Sequence, residues 1–257
     1  MEENTGVFRR LRIFNLVMGL IHLFQVFLML YLSNDKTLPF QFTYPAYDPA
    51  ANPALFPAAE TIVDIRLGPL VAMFLFISAA AHFLIGTVLY KKYVNRLQNH
   101  INPYRWYEYS ISASLMIVII AMLTSIYDVG TLLALFTLTA VMNLMGLMME
   151  MYNQKTECTN WTAYIIGCIA GFVPWVVIFI SLIGGIIKSE GQVPDFVIWI
   201  FVSIAIFFNL FAINMVLQYK KIGKWKDYLY GERMYIILSL VAKSLLAWQV
   251  FAGTLAP

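Results

Sequence analysis

Lys243 stands alone in the last hydrophobic stretch of the chain. In the run Tyr235–Pro257 no other charge lies within nine residues of it on either side. A cation near a bilayer centre costs roughly 2.5–3.5 kcal/mol on insertion scales. A chain tolerates that when the residue has a partner or is chemically modified. Lysine is also the basic side chain that can lose its proton in an apolar pocket and condense with an aldehyde into a Schiff base. The chemistry to look for is therefore a carbonyl adduct at Lys243, an ion pair, or both.

Few carboxylates are at hand. Glu108 lies in Tyr104-Arg105-Trp106-Tyr107-Glu108-Tyr109-Ser110-Ile111-Ser112. At helical spacing Arg105 is one turn to one side of Glu108 and Ser112 one turn to the other, on the same face. Ser239 lies one turn before Lys243. His22 and Gln25 share a face, as do Ser78 and His82. We expect Glu108 to pair with Lys243, and His22, Gln25, Ser78, His82 and Arg105 to form a polar, proton-accepting network around them. Each residue also has a plainer reading. Glu108 can snorkel to headgroups beside Arg105, and a lone histidine is more often a packing residue. Glu150 reads as an interfacial acid, and Asp64 and Arg66 as a pair with each other or with the loop before them.

The elements that must hold these residues are membrane spans. Of 257 residues 61% are hydrophobic and 12% charged, about half the charged share of a soluble domain. Seven segments reach the length of about 20 apolar residues that a spanning helix needs: Leu11–Leu32, Ile62–Tyr90, Tyr104–Tyr127, Gly130–Tyr152, Ala163–Lys188, Pro194–Tyr219 and Tyr228–Leu255. The expected fold is an all-α, seven-helix transmembrane bundle forming one domain over 1–257. The first segment is too long in its apolar run for a signal peptide, and no small-residue cleavage site follows it. Cys158 and Cys168 are too few for a disulfide framework, and Cys168 is expected to pack as a small hydrophobe. A net charge of +3 gives no nucleic-acid signature.

Charge sets the expected orientation. Arg9, Arg10, Arg12, Lys91, Lys92, Arg96, Lys155, Lys220, Lys221, Lys224 and Lys226 fall on the side of the N-terminus, against Lys36, Lys188 and Arg66 on the other. Basic loops stay in the cytoplasm, so the N-terminus is expected inside and the C-terminus outside the cell membrane. Asn160-Trp161-Thr162 then falls on the cytoplasmic side, and its match to the glycosylation sequon is a chance one. The long connection Ser33–Glu60 falls outside. It carries five prolines, and Thr37–Tyr47 alternates as a short hairpin would. It can cap the bundle, join two subunits or serve as a connection only.

Seven spans, a lone lysine in the middle of the seventh and Arg105-x-x-Glu108 in the third resemble the microbial-type rhodopsins. The inverted orientation, Glu108, Ser239 and the long outer loop make the chain similar to the heliorhodopsins in particular. The resemblance implies all-trans retinal bound to Lys243 as a protonated Schiff base, with Glu108 as counterion, light-driven isomerisation to the 13-cis form and a slow photocycle. It places Tyr109, Met142, Gly146, Pro174, Trp175, Phe207 or Phe208, and Trp248 around the chromophore. Proton-pumping relatives carry acids at the first and last of three positions that here are Glu108, Ser112 and Ile119, and a further acid where this chain has Ser239. With one of those carboxylates, the chain is expected to sense light without net pumping, to pass its proton into the His22, His82, Ser78 and Glu108 network, and to signal to a cytoplasmic partner, as a homodimer in the lipid bilayer. The alternatives are a light-gated proton conductor or ion transporter using the same polar groups, and a retinal-free receptor or scaffold in which Glu108 and Lys243 are a structural ion pair. No enzymatic domain is expected.

Overall fold

In lipid a backbone N–H or C=O without a partner costs several kcal/mol, so each long apolar segment closes its hydrogen bonds within itself as a helix. The computed structural model describes residues 2–50, 53–154 and 156–256; Lys155, counted above among the basic residues, lies outside these. The chain runs α1 (Glu2–Leu32), β1 (Thr37–Tyr47), β2 (Leu55–Arg66), α2 (Leu67–Gly86), α3 (Tyr90–Gln98), α4 (Pro103–Leu123), α5 (Val129–Asn153), α6 (Thr162–Lys188), α7 (Asp195–Tyr219) and α8 (Tyr228–Val250), with α8 continued by a π-helical turn over Phe251–Leu255. Seven of these helices, all but α3, are long and apolar enough to span a membrane. The protein is a seven-helix bundle.

Its surface is the inverse of a soluble protein's. Phe24, Phe27, Ile169, Phe172, Ile180 and Trp199 point outward, while Asn15, His22, Arg105, Glu150, Glu232 and Lys243 are buried. Lipid accepts the apolar faces, so the interior is free to hold polar groups that pair with one another.

Helix ends follow local chemistry. Pro103 opens α4 after Asn102, whose side chain accepts from the Arg105 N–H at 3.3 Å. Asp128 caps α5 by accepting from Thr131 N at 2.7 Å, and Asp227 caps α8 by accepting from Leu229 N at 2.9 Å.

Both boundaries of the second span differ from the sequence reading. Residues 62–66, assigned to the second span, belong to β2, because Thr37–Tyr47 is one strand of a long hairpin and not a hairpin by itself. Pro39 faces Asp64, and Pro45 faces Pro57. A two-stranded sheet has two free edges, so prolines that cannot donate are tolerated. At its other end the second span stops at Gly86, and Tyr90–Gln98 forms the separate helix α3, whose Tyr93 and Leu97 are buried and whose Lys91, Lys92 and Arg96 are solvated. The hairpin's base is fixed to the bundle: Gln41 N donates to Tyr127 O at 2.9 Å, and Asn34 Nδ2 to Thr254 O at 3.0 Å. Arg66 pairs with Asp35 of the same connection.

The core divides in two along the bundle. On the hairpin side the packing is aliphatic, from Val26, Met29, Val71, Leu75, Ile117, Ile120, Leu246 and Val250 among others. Towards the other end the aromatic rings of Trp106, Tyr109 and Tyr235 cluster with Met215. The polar site lies between these halves and extends into the second.

Candidate functional site

Helical geometry brings Lys243 and Glu108 together. The Cα–Cβ bonds of a helix lean towards its N-terminus, so the Lys243 side chain runs back along α8 by about one 5.4 Å turn. Its Nζ donates to Ser239 Oγ at 3.0 Å, and reaches Glu108 Oε1 on α4 at 2.6 Å. That reach closes the offset in depth between the two residues along their helices. Ser78 on α2 donates to the same Glu108 oxygen at 2.7 Å. The face of the Tyr109 ring lies 5.1 Å from Nζ, within range of a cation–π contact. The Tyr109 hydroxyl is fixed by donating to Tyr235 O at 2.9 Å. Ser112 is fully buried one turn further along α4, and its hydroxyl has no hydrogen-bond partner among the described residues.

Arg105 does not join Glu108. It sits in a second buried cluster, between Glu150 of α5 and Glu232 of α8, with its guanidinium 3.9 Å from the Tyr235 ring centre and 4.6 Å from that of Trp106. Glu150 is thus not an interfacial acid: its side chain is 2% exposed. Nor does Glu108 snorkel beside Arg105. Glu232 had not been singled out. The signal was there in its spacing, since Glu232, Ser239 and Lys243 recur at 7 and 4 residues and so share one helical face.

The remaining polar residues divide between partners. His82 Nδ1 is 2.9 Å from Asn15 Oδ1, and its ring stacks on that of His22 at 5.8 Å. Among the described residues neither ring nitrogen of His22 has a partner. Gln25 accepts from Trp248 Nε1 at 3.0 Å. The expected network is therefore split into Glu108 with Ser78, the His22–His82–Asn15 group, the Gln25–Trp248 bond, and the Arg105 cluster.

A cavity of about 650 Å³ extends from Lys243 and Ser239 between α4, α5, α6, α7 and α8, within the roughly 300–1,000 Å³ usual for small-molecule sites. Its walls are mainly apolar, and it reaches the outer face of α6 at Ile169 and Phe172. Cys168 lines it and is exposed there instead of packing in the core. Glycines create part of the space. A Cβ at Gly146 would collide with the Trp106 ring, and one at Gly171 with Met142 Sδ.

The sequence pattern of the family described as Heliorhodopsin matches residues 11–255, nearly the whole chain. The chain belongs to the heliorhodopsin family. Comparison with curated proteins gives no match. As a heliorhodopsin it is a rhodopsin-type light-sensing protein of multiple membrane spans, and the family carries retinal covalently on a lysine.

The cavity of this heliorhodopsin fits such a group. It is mainly apolar, and its lining includes a buried amine with a carboxylate in contact. Among the residues expected around the chromophore, Tyr109, Met142, Gly146, Trp175, Phe208, Ser239 and Lys243 line it. Trp175 meets Phe208 edge-on at 5.3 Å. Pro174 is buried in α6 beside this wall without lining it, Phe207 and Trp248 lie outside the lining, and Trp248 packs edge-on against Phe251. Asn143, Phe201, Phe211 and Met215 line the cavity and had not been expected. Their positions follow from helix rotation, which the apolar pattern of a helix surrounded by lipid does not reveal.

Proposed function

We propose that this chain is a single seven-helix domain, 1–257, that senses light through all-trans retinal held on Lys243 as a protonated Schiff base, with Glu108 as counterion and without net ion transport. The observation that carries the reading is the 2.6 Å contact between Lys243 Nζ and Glu108 Oε1 at the end of an apolar cavity. When bound, retinal supplies visible absorption and a light-driven change of shape, from all-trans to 13-cis, next to Nζ.

The chain's own residues do the rest. Glu108 balances the cation at Nζ, and Ser78 and Ser239 orient the pair by hydrogen bonds. The apolar walls exclude water and strengthen the attraction, because the effective dielectric falls. When the N–H direction at Lys243 turns away from Glu108, the pair loses its contact and its stabilisation, and Glu108 becomes the nearest base for the Nζ proton. Return of that proton is slow because the N–H and the carboxylate must come back into register, which gives a long-lived state.

Absence of transport is supported by the packing on the hairpin side, where Ile117, Ile120, Leu75, Leu246 and Val250 belong to one buried apolar cluster. The basic residues near the N-terminus and in the 91–96 and 220–226 segments support a cytoplasmic position for the side opposite the hairpin. A cytoplasmic partner reads the signal there. The chain acts as a homodimer, through α5, α6 and the hairpin, and not as an enzyme.

The test is the visible spectrum of the chain expressed with all-trans retinal, beside Lys243→Ala. A visible band that disappears in the variant is expected. No band in either, or a band that survives in Lys243→Ala, overturns the assignment. A sustained light-driven current from the wild type overturns the absence of transport.

A further inference from the structure

The charges of the Arg105 cluster do not balance. Arg105 brings one positive charge to two carboxylates, and none of the three side chains is more than 4% exposed. All four carboxylate oxygens accept a hydrogen bond. Glu150 Oε1 accepts from Arg105 and from Tyr228 Oη at 3.4 Å, and Oε2 from Asn102 N at 2.8 Å. Glu232 Oε1 accepts from Arg105, and Oε2 from Asn102 Nδ2 at 2.9 Å. A protonated carboxyl must donate from one of its oxygens; among the described residues Glu150 Oε1 faces the Tyr228 hydroxyl, which can accept as well as donate, whereas both Glu232 oxygens face N–H donors only. With Glu150 accepting from Arg105 and from Asn102 N as well, the pattern is that of two ionised carboxylates around one guanidinium, with one negative charge uncompensated in a buried site.

A second observation connects this cluster to Lys243. A cavity of about 30 Å³ is lined by Glu108 and Ser239 at one end, by Arg105, Asn102 and Glu232 at the other, and by His82 at the side. Such a space holds a water molecule when polar groups surround it. Arg105 Nε is buried without a partner among the described residues, so it is a donor that can bind that water.

We propose that Glu232 holds the proton that leaves Lys243, reached from Glu108 through this cavity and stabilised by Arg105 and Glu150. The inference rests on the retinal reading of Lys243. The N–H bond at Nζ breaks and its electron pair stays on nitrogen. Glu108 takes the proton, a water in the cavity relays it, and an O–H bond forms on Glu232. Lys243 goes from +1 to 0 and the cluster from −1 to 0, so the total is unchanged and Glu108 is again ionised. Glu108 is then an anion whose remaining partner is Ser78, which draws the proton back and keeps it inside the protein. Neutralising Glu232 also loosens the hold of α8 on Arg105, and thereby on α4 and α5, at the end of α8 that joins the lysine-rich 220–226 segment. His22 lines no part of this cavity; His82 does, and is the competing acceptor.

The test is flash photolysis with time-resolved infrared difference spectroscopy on the full chain with all-trans retinal, comparing wild type, Glu232→Gln and His82→Phe. In the wild type a protonated-carboxyl band is expected to rise as the visible band bleaches. Glu232→Gln is expected to lack that band and to bleach about a hundredfold more slowly, the low end of what a positioned proton acceptor contributes. His82→Phe is expected to keep both. An unchanged band and rate in Glu232→Gln, or their loss in His82→Phe, overturns the proposal. Glu232→Gln keeps the shape of the side chain and removes the excess charge, and the visible band reports its folding. If that variant forms no pigment, Glu150→Gln decides: a shifted carboxyl band is expected, and an unshifted one overturns the proposal. A wild type without any visible band defeats the photoreceptor reading itself, a separate outcome.

Discussion

Replacing Glu108 by glutamine tests the electrostatics of the site most directly. The side chain keeps its shape and loses its charge. In the structure the Lys243 cation then has Ser239 Oγ at 3.0 Å and the Tyr109 ring face at 5.1 Å, and no carboxylate in contact. At 2.6 Å and an effective dielectric of about 20, the lost attraction is about 6 kcal/mol. Breaking a buried ion pair from one side costs about 3–5 kcal/mol once the surroundings relax. Taking the smaller figure, the cationic form at Nζ loses a factor of roughly 10²–10⁴ against the neutral form. The assay is the absorption spectrum of Glu108→Gln with all-trans retinal, in buffer free of small monovalent anions that can stand in for the carboxylate. The visible band is expected to shrink to a minor share at neutral pH in favour of a near-ultraviolet band from the neutral form. A visible band of undiminished height would refute the reasoning, and would mean that some other group balances Lys243.

Two glycines that look alike in sequence should respond differently. A Cβ at Gly146 meets the Trp106 ring, which is held by Arg105 and by Tyr109 and Tyr235 edges, whereas one at Gly171 meets the flexible Met142 side chain. Gly146→Ala is expected to cost about 1–3 kcal/mol and lower pigment yield, while Gly171→Ala stays near wild type by thermal bleaching. Equal behaviour would show that the Trp106 wall is not rigid. Arg105→Met leaves two facing carboxylates without their cation and should destabilise the protein by about 3–5 kcal/mol, whereas Arg105→Met combined with Glu150→Leu and Glu232→Leu should recover most of that loss. Thermal loss of the visible band measures both, and a triple variant no more stable than Arg105→Met would contradict the account of the cluster as a desolvated charge set.

The sequence by itself determined the seven spans, because apolar length is a local property and lipid leaves the backbone no alternative to the helix. It also made Lys243 and Glu108 conspicuous, since a charge inside a span is costly and there are few of them. Tertiary structure decided the pairings. Arg105 is one turn from Glu108 on its own helix, yet it turns to Glu150 and Glu232 on two other helices, and Gln25 leaves His22 for Trp248. Spacing along one helix shows which residues share a face, but not which neighbouring helix that face meets, nor at what height. The hairpin was missed in part for the same reason. The alternation in Thr37–Tyr47 marks a strand, but its partner, Leu55–Arg66, had its last residues read as the start of a span, because β-branched apolar residues suit both. The cavity is a property of the tertiary structure alone, since it depends on how α4 to α8 are rotated about their axes and on two glycines that leave room for rings and sulfur between them.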